Sequence, residues 1–167
     1  ALTWTQRDPR NSIIMKRASA FLTVALAAAA LAACHDGGGT LIVEAAGGSS
    51  DFAASAETEL LALFGKEKKD LDVVPVKHPA YSVANKIEEV EYRSFAKRVL
   101  GTSRLPRVRG MDVGGRMAVF FSAEDLSAGL VGQPVDGIYG YVPSAVRIAD
   151  EKPRMGATEM MTNLIVY

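Results

Sequence analysis

The chain has 167 residues, enough for one domain with a real core. Its 19 Lys plus Arg balance 19 Asp plus Glu, so charge offers no case for nucleic acid or an anionic membrane surface as the main partner. One cysteine excludes an internal disulfide, and with two histidines it cannot build a usual structural zinc site, so no metal and no cofactor is expected. Residues 1–14, which open on Ala1, read either as upstream sequence or as the interior of a longer protein.

Met15 to Cys34, MKRASAFLTVALAAAALAAC, supports two readings. A cationic start, an apolar run and Leu31-Ala32-Ala33-Cys34 have the form of a lipoprotein signal. Cleavage before Cys34 would then leave its thiol lipidated and the protein anchored to a membrane outside the cytoplasm. The apolar run is shorter than the roughly 20 residues a membrane-crossing helix needs. The same residues also suit an alanine-rich core helix closed by the glycines that follow.

Thr40 to Ala46 predicts a short strand, apolar on both faces and therefore central in a parallel sheet. Gly47-Gly48-Ser49-Ser50-Asp51 turns the chain and opens a helix with Phe52, Ala53, Ala56, Leu60, Leu63 and Phe64 on one face, stopped by Gly65. Lys66–Asp70 reads as a charged loop, and Leu71 to Val74 as a strand ended by Pro75. Ile87 to Leu100 mixes a strand near Val90–Tyr92 with a helix ending at Gly101. Arg107–Val113 and Arg116–Ser122, separated by Gly114-Gly115, predict a β-hairpin. Ser122 to Asp125 has capping-box spacing before a helical turn from Leu126 to Leu130. A glycine- and proline-rich loop, 132–140, follows. Met155–Tyr167 closes the chain as an amphipathic helix that brings Met160, Met161, Leu164 and Tyr167 together.

Four blocks carry a family resemblance: GGGTLIVEAAGGSSDFAASAETELLALFG (37–65), HPAY (78–81), RVRGMDVGGRMAVFFSAEDLSAGL (107–130) and ATEMMTNLIVY (157–167). In order and spacing they resemble the domain of unknown function 4159. The resemblance implies an α/β, flavodoxin-like three-layer sandwich similar to class I glutamine amidotransferases, and a place in the bacterial cell envelope. That family has a further strand and helix before the glycine-led strand, ending in a segment like Ala20-Phe21-Leu22-Thr23. Here the stretch from there to Gly37 is several residues too short for that helix, so the domain reads as N-terminally incomplete.

An amidotransferase-like enzyme needs a cysteine at a strand-to-helix elbow with a histidine to activate it. Cys34 has no glycines of that pattern around it, His35 is its sequence neighbour, and Ala80 stands where a glutamate two residues after His78 is needed. No catalytic set is therefore assigned. Gly47, Gly48, Ser49 and Ser50 form a turn after a strand that opens a helix, where free N–H groups suit a small anion, although a tight turn with a polar cap is the simpler explanation of them. His78 and Tyr81, held by Pro79, sit in a loop that presents His78. Glu124 and Asp125, with Asp136, Tyr139 and Tyr141 nearby, suit a ligand pocket at the strand ends, although acids at a helix start are also explained by capping. Lys97, Arg98, Arg104, Arg107, Arg109 and Arg116 read as a solvated basic face with no aromatic platform for bases.

The sequence therefore predicts a non-catalytic envelope module that binds a protein partner or a small anionic ligand. The alternative is a hydrolase or transferase with its site near His78, Glu124 and Asp125.

Overall fold

The computed structural model describes residues 39–63, 71–113, 115–132 and 137–167, and residues 40–167 group into one unit. The elements run β1 (Leu41–Glu44), α1 (Ser50–Leu63), β2 (Asp72–Val73), α2 (Ser94–Leu100), β3 (Arg109–Val113), β4 (Arg116–Ser122), α3 (Ser127–Leu130) and α4 (Ala157–Val166). The strands form one sheet in the order β1-β4-β3-β2. Strand β1 pairs in parallel with β4, Ile42 opposite Phe120 and Val43 opposite Phe121. The remaining pairs, β2 with β3 and β3 with β4, are antiparallel, and β4 follows directly on β3 with Gly115 at φ +82°. The fold is thus mixed α/β, and among the described strands only β1 and β4 pair in parallel. Strand β1, expected to be central, is paired there with β4 alone, and its four residues are half-buried.

Register explains how a seven-residue strand feeds two cores. Met111 lies opposite Val119 and Asp112 opposite Met117, so Ala118 is the extra residue of a β-bulge. The bulge turns Met117 and Phe120 toward the same side of the sheet, despite their odd spacing. On that side Phe120 packs with Tyr81, Tyr92, Val108, Tyr141, Met160 and Leu164. On the other, Val119 and Phe121 join Met111, Leu71 and Leu60 beneath α1.

In α1 the apolar spacing works as predicted for Ala53, Ala56 and Leu60, but Phe52 is 47% exposed, since it lies off the stripe that meets the sheet. The predicted Phe64 and the charged loop Lys66–Asp70 fall outside the described residues. The strand near Val90–Tyr92 reduces to isolated bridges, Val90 with Met155 and Tyr92 with Tyr141, before α2 closes at Gly101. Helix α4 buries Ala157, Met160 and Leu164 together with Asn163. The Asn163 side chain accepts from the Asn85 backbone N–H (2.7 Å) and donates to the Asn85 carbonyl (2.8 Å), a polar clamp at the end of the core. Tyr167, at the end of α4, sets its ring 5.3 Å from His78 and 5.6 Å from Phe120, a member of the same cluster as Met160 and Leu164. Among the described residues no helix is long and apolar enough to cross a membrane.

Candidate functional site

Strands β1 and β4 end side by side, and the chain leaving each carries a carboxylate that binds the other's loop. Asp125, fully buried, accepts from the Gly47 N–H at 2.5 Å and from the Ala128 N–H at 3.0 Å. Glu44 reaches the opposite way and accepts from the Leu126 and Ser127 N–H groups at 2.7 and 3.3 Å. The Tyr139–Tyr141 segment is threaded between them: Tyr139 N–H donates to the Gly47 carbonyl, Asp125 N–H to the Tyr139 carbonyl, and Tyr141 N–H to the Asp125 carbonyl. Gly48, at φ +71°, is required at this crossing, because a Cβ there would lie 2.2 Å from the Tyr139 carbonyl oxygen.

This crossing answers the expectation of an anion at Gly47-Gly48-Ser49-Ser50. The anion at the turn is the chain's own Asp125, and Ser49 serves as a weak cap, its Oγ 3.4 Å from the Phe52 N–H. Ser122 does not cap the following helix as the capping-box spacing predicted. Its hydroxyl donates to the Glu124 carbonyl at 2.7 Å, and Asp125 and Glu44 do the capping.

Glu124 points elsewhere. It is 2% exposed, and its Oε1 accepts from Arg107 Nε at 2.9 Å. Burial holds its carboxyl above the usual glutamate range, although the Arg107 guanidinium beside it pulls the other way. Tyr139 faces the same carboxylate; burial and then the Glu124 charge raise its hydroxyl. Beneath lie Tyr92 and Tyr141, stacked at 4.8 Å, with Tyr92 donating to the Leu105 carbonyl and the Arg107 N–H donating to the Tyr141 hydroxyl. The Tyr81 hydroxyl is buried without a hydrogen-bond partner in this cluster, and burial raises it strongly, with the Tyr141 and Glu124 charges adding to the effect.

The Arg107–Glu124 pair opens onto a cleft of about 470 Å³, within the range of small-molecule sites. Val73, Val76, Leu105 and Pro106 give it an apolar wall, and Arg107 and Arg109 a cationic one. Arg109 is committed: both its terminal nitrogens bind Glu57, at 2.6 and 2.8 Å, and its guanidinium lies 4.8 Å over the Phe121 ring. Arg107 is not. Its side chain is half exposed, and among the described residues nothing holds its two terminal nitrogens.

The profile of the family "Domain of unknown function (DUF4159)" matches residues 14–167. The chain belongs to that family. No curated protein and no solved structure matches it.

In this DUF4159 domain the other predicted site residues are dispersed. His78 caps its own turn, Nδ1 accepting from the Ala80 N–H at 3.2 Å, and its half-buried ring rests against Tyr167 instead of being presented. Tyr81 is a core residue whose hydroxyl belongs to the tyrosine cluster. No hydrogen bond or ion pair among the described residues joins His78 to Glu124 or Asp125. Cys34 and Asp136 lie outside the described residues. Among those described, no cluster of His, Cys, Asp or Glu could hold a metal ion.

The expected solvated basic face is exposed at Lys97, Arg98, Arg104 and Arg107, and several of its cations are paired: Lys97 with Glu91, Arg104 with Glu89, Arg107 with Glu124, Arg109 with Glu57. Arg107, the cation that lines the cleft beside a buried carboxylate, was hidden in that run. The signal for it was the hairpin itself, since an antiparallel pairing sets the residue before β3 beside the residues after β4.

Two outcomes follow for this domain. Asp125→Ala leaves the Gly47 and Ala128 N–H groups without their acceptor and should lower unfolding free energy by about 2–4 kcal/mol in urea. A loss below about 0.5 kcal/mol would show that the crossing is not a structural tie. Glu124 has a folded pKa above its unfolded one, so its contribution to stability falls as pH rises from its ordinary 4.5 and levels off above the raised value. The stability difference between wild type and Glu124→Gln should move against wild type over that window. Movement in its favour would mean that the Arg107 charge outweighs burial.

Proposed function

We propose that this domain is a non-catalytic binding module for a small anionic ligand, and that its site is the Arg107 cleft. The observation that carries this reading is an arginine fixed at one nitrogen by a buried carboxylate, with the rest of its fork turned to an open, half-apolar cleft. A guanidinium held in that way is pre-organised for two parallel N–H···O bonds to a carboxylate or phosphate. The glycine turn is a poorer candidate, because Asp125 already takes its Gly47 N–H. The hydrolase alternative draws no support from the geometry, in which His78 and the two acids each have separate partners.

Calorimetric titration with acetate, benzoate and inorganic phosphate tests the site. At least one should bind, Arg107→Gln should weaken it tenfold or more, as expected for hydrogen bonds to a charged group, and Ser49→Ala should change it less than twofold. Binding that survives Arg107→Gln, or no binding by any of the three, defeats the proposal.

The flavodoxin-like, amidotransferase-like architecture belongs to the same proposal. Parallel β1 and β4, with α1 on one face of the sheet and α4 on the other, support it. An experimental structure should then show a further parallel strand beside β1.

Placement at the bacterial cell envelope rests on the family resemblance. The match begins at residue 14 and so runs through Met15–Cys34, which supports reading that stretch as the first part of the domain rather than a cleaved leader. When the protein is expressed from its own gene in cells fed radiolabelled palmitate, Cys34 should carry no label. Label that disappears in Cys34→Ser would establish the lipid anchor instead.

A further inference from the structure

We infer that the ligand of the Arg107 cleft is an amphiphilic monocarboxylate, and that Glu124 selects it by excluding ligands with a second negative charge; this rests on the Arg107 cleft being the binding site. The charge balance of the cleft is the first ground. Its two cations are each matched by one carboxylate, Arg107 by Glu124 and Arg109 by Glu57, so the site is cationic in shape but neutral in sum. A single negative charge in the Arg107 fork takes up the two free nitrogens. A dianion brings a second charge close to a carboxylate that is buried and 2.9 Å from Nε, where its burial weakens solvent screening of the repulsion.

The second ground is the opposite wall. Val73 is 61% exposed and Leu105 58%, and with Val76 and Pro106 they line the same cleft as the fork. These side chains gain only from a ligand with an apolar body, each methylene taken out of water strengthening binding about fourfold. A bare anion such as acetate uses the fork and leaves this wall wet. Carboxylate next to an apolar body is the chemistry that uses both.

Two sources have that chemistry, an aliphatic acid and the carboxyl end of an apolar peptide. Hexanoate and N-acetyl-leucine stand for them, and the tighter binder names the source. The experiment is an NMR titration of the intact domain at pH 8 with hexanoate, N-acetyl-leucine, acetate and hexyl phosphate, which is a dianion at that pH. Hexanoate or N-acetyl-leucine should bind at least tenfold tighter than acetate and tighter than hexyl phosphate. Glu124→Gln keeps an acceptor for Arg107 Nε while removing the charge, and it should raise the affinity for hexyl phosphate severalfold and that for hexanoate much less.

Acetate equal to hexanoate, or hexyl phosphate preferred by the wild-type domain, overturns the ligand class while leaving the Arg107 site in place. Binding of every probe unchanged in Arg107→Gln overturns the site itself. The wild-type comparison among the four probes decides the matter even if the Glu124 variant fails to fold.

Discussion

The organisation of this domain depends on one exchange of carboxylates. Glu44 leaves β1 and binds the loop after β4, while Asp125 leaves that loop and binds the turn after β1. Parallel neighbouring strands end at the same edge of a sheet, so their loops must be packed against each other with many backbone N–H groups pointing inward. In a typical open α/β sheet that edge is where ligands are bound. Here buried Asp125 and half-buried Glu44 satisfy the donors from within, and Tyr139–Tyr141 is laced between them. The usual anion site of such a sheet is thereby filled from within, and the site we propose lies instead at the neighbouring antiparallel part of the sheet.

That displacement gives Glu124 a meaning distinct from that of its neighbour. The two adjacent acids point to opposite sides of the loop. Asp125 ends on backbone N–H groups, whereas Glu124 ends on a guanidinium at the mouth of a cleft. A buried carboxylate is expensive unless it is paired, and the pairing in turn fixes the arginine. Four tyrosines pack around this pair, with the Tyr81 hydroxyl left unpartnered among them. Such a base is stiff and apolar. It orients Arg107 without competing for its outward nitrogens.

Local patterns in the sequence carried much of the fold. Gly114-Gly115 between two apolar runs marked the hairpin, Ala53, Ala56 and Leu60 marked the buried face of α1, and Met160 with Leu164 marked that of α4. What escaped depends on contacts far apart in the chain. The bulge at Ala118 arises from register against β3, and the exposure of Phe52 from which side of α1, that of Ala53, Ala56, Leu60 and Leu61, meets the sheet. The site was half legible for the same reason. Glu124 and Asp125 stand out as acids after a strand, but their separate roles require knowing that Gly47 and Arg107 lie against them from 78 and 17 residues away. Arg107 in particular hides in a run of cations that looks like an ordinary solvated face.

The central claim is that the glycine turn is internally filled and the Arg107 fork is open. Mapping by amide NMR of the residues that move when hexanoate is added tests it most directly. The account predicts shifts at Val76, Leu105 and Arg107 with Gly47, Gly48 and Ser49 unmoved. Shifts confined to Gly47–Ser49, with Arg107 unmoved, would contradict it.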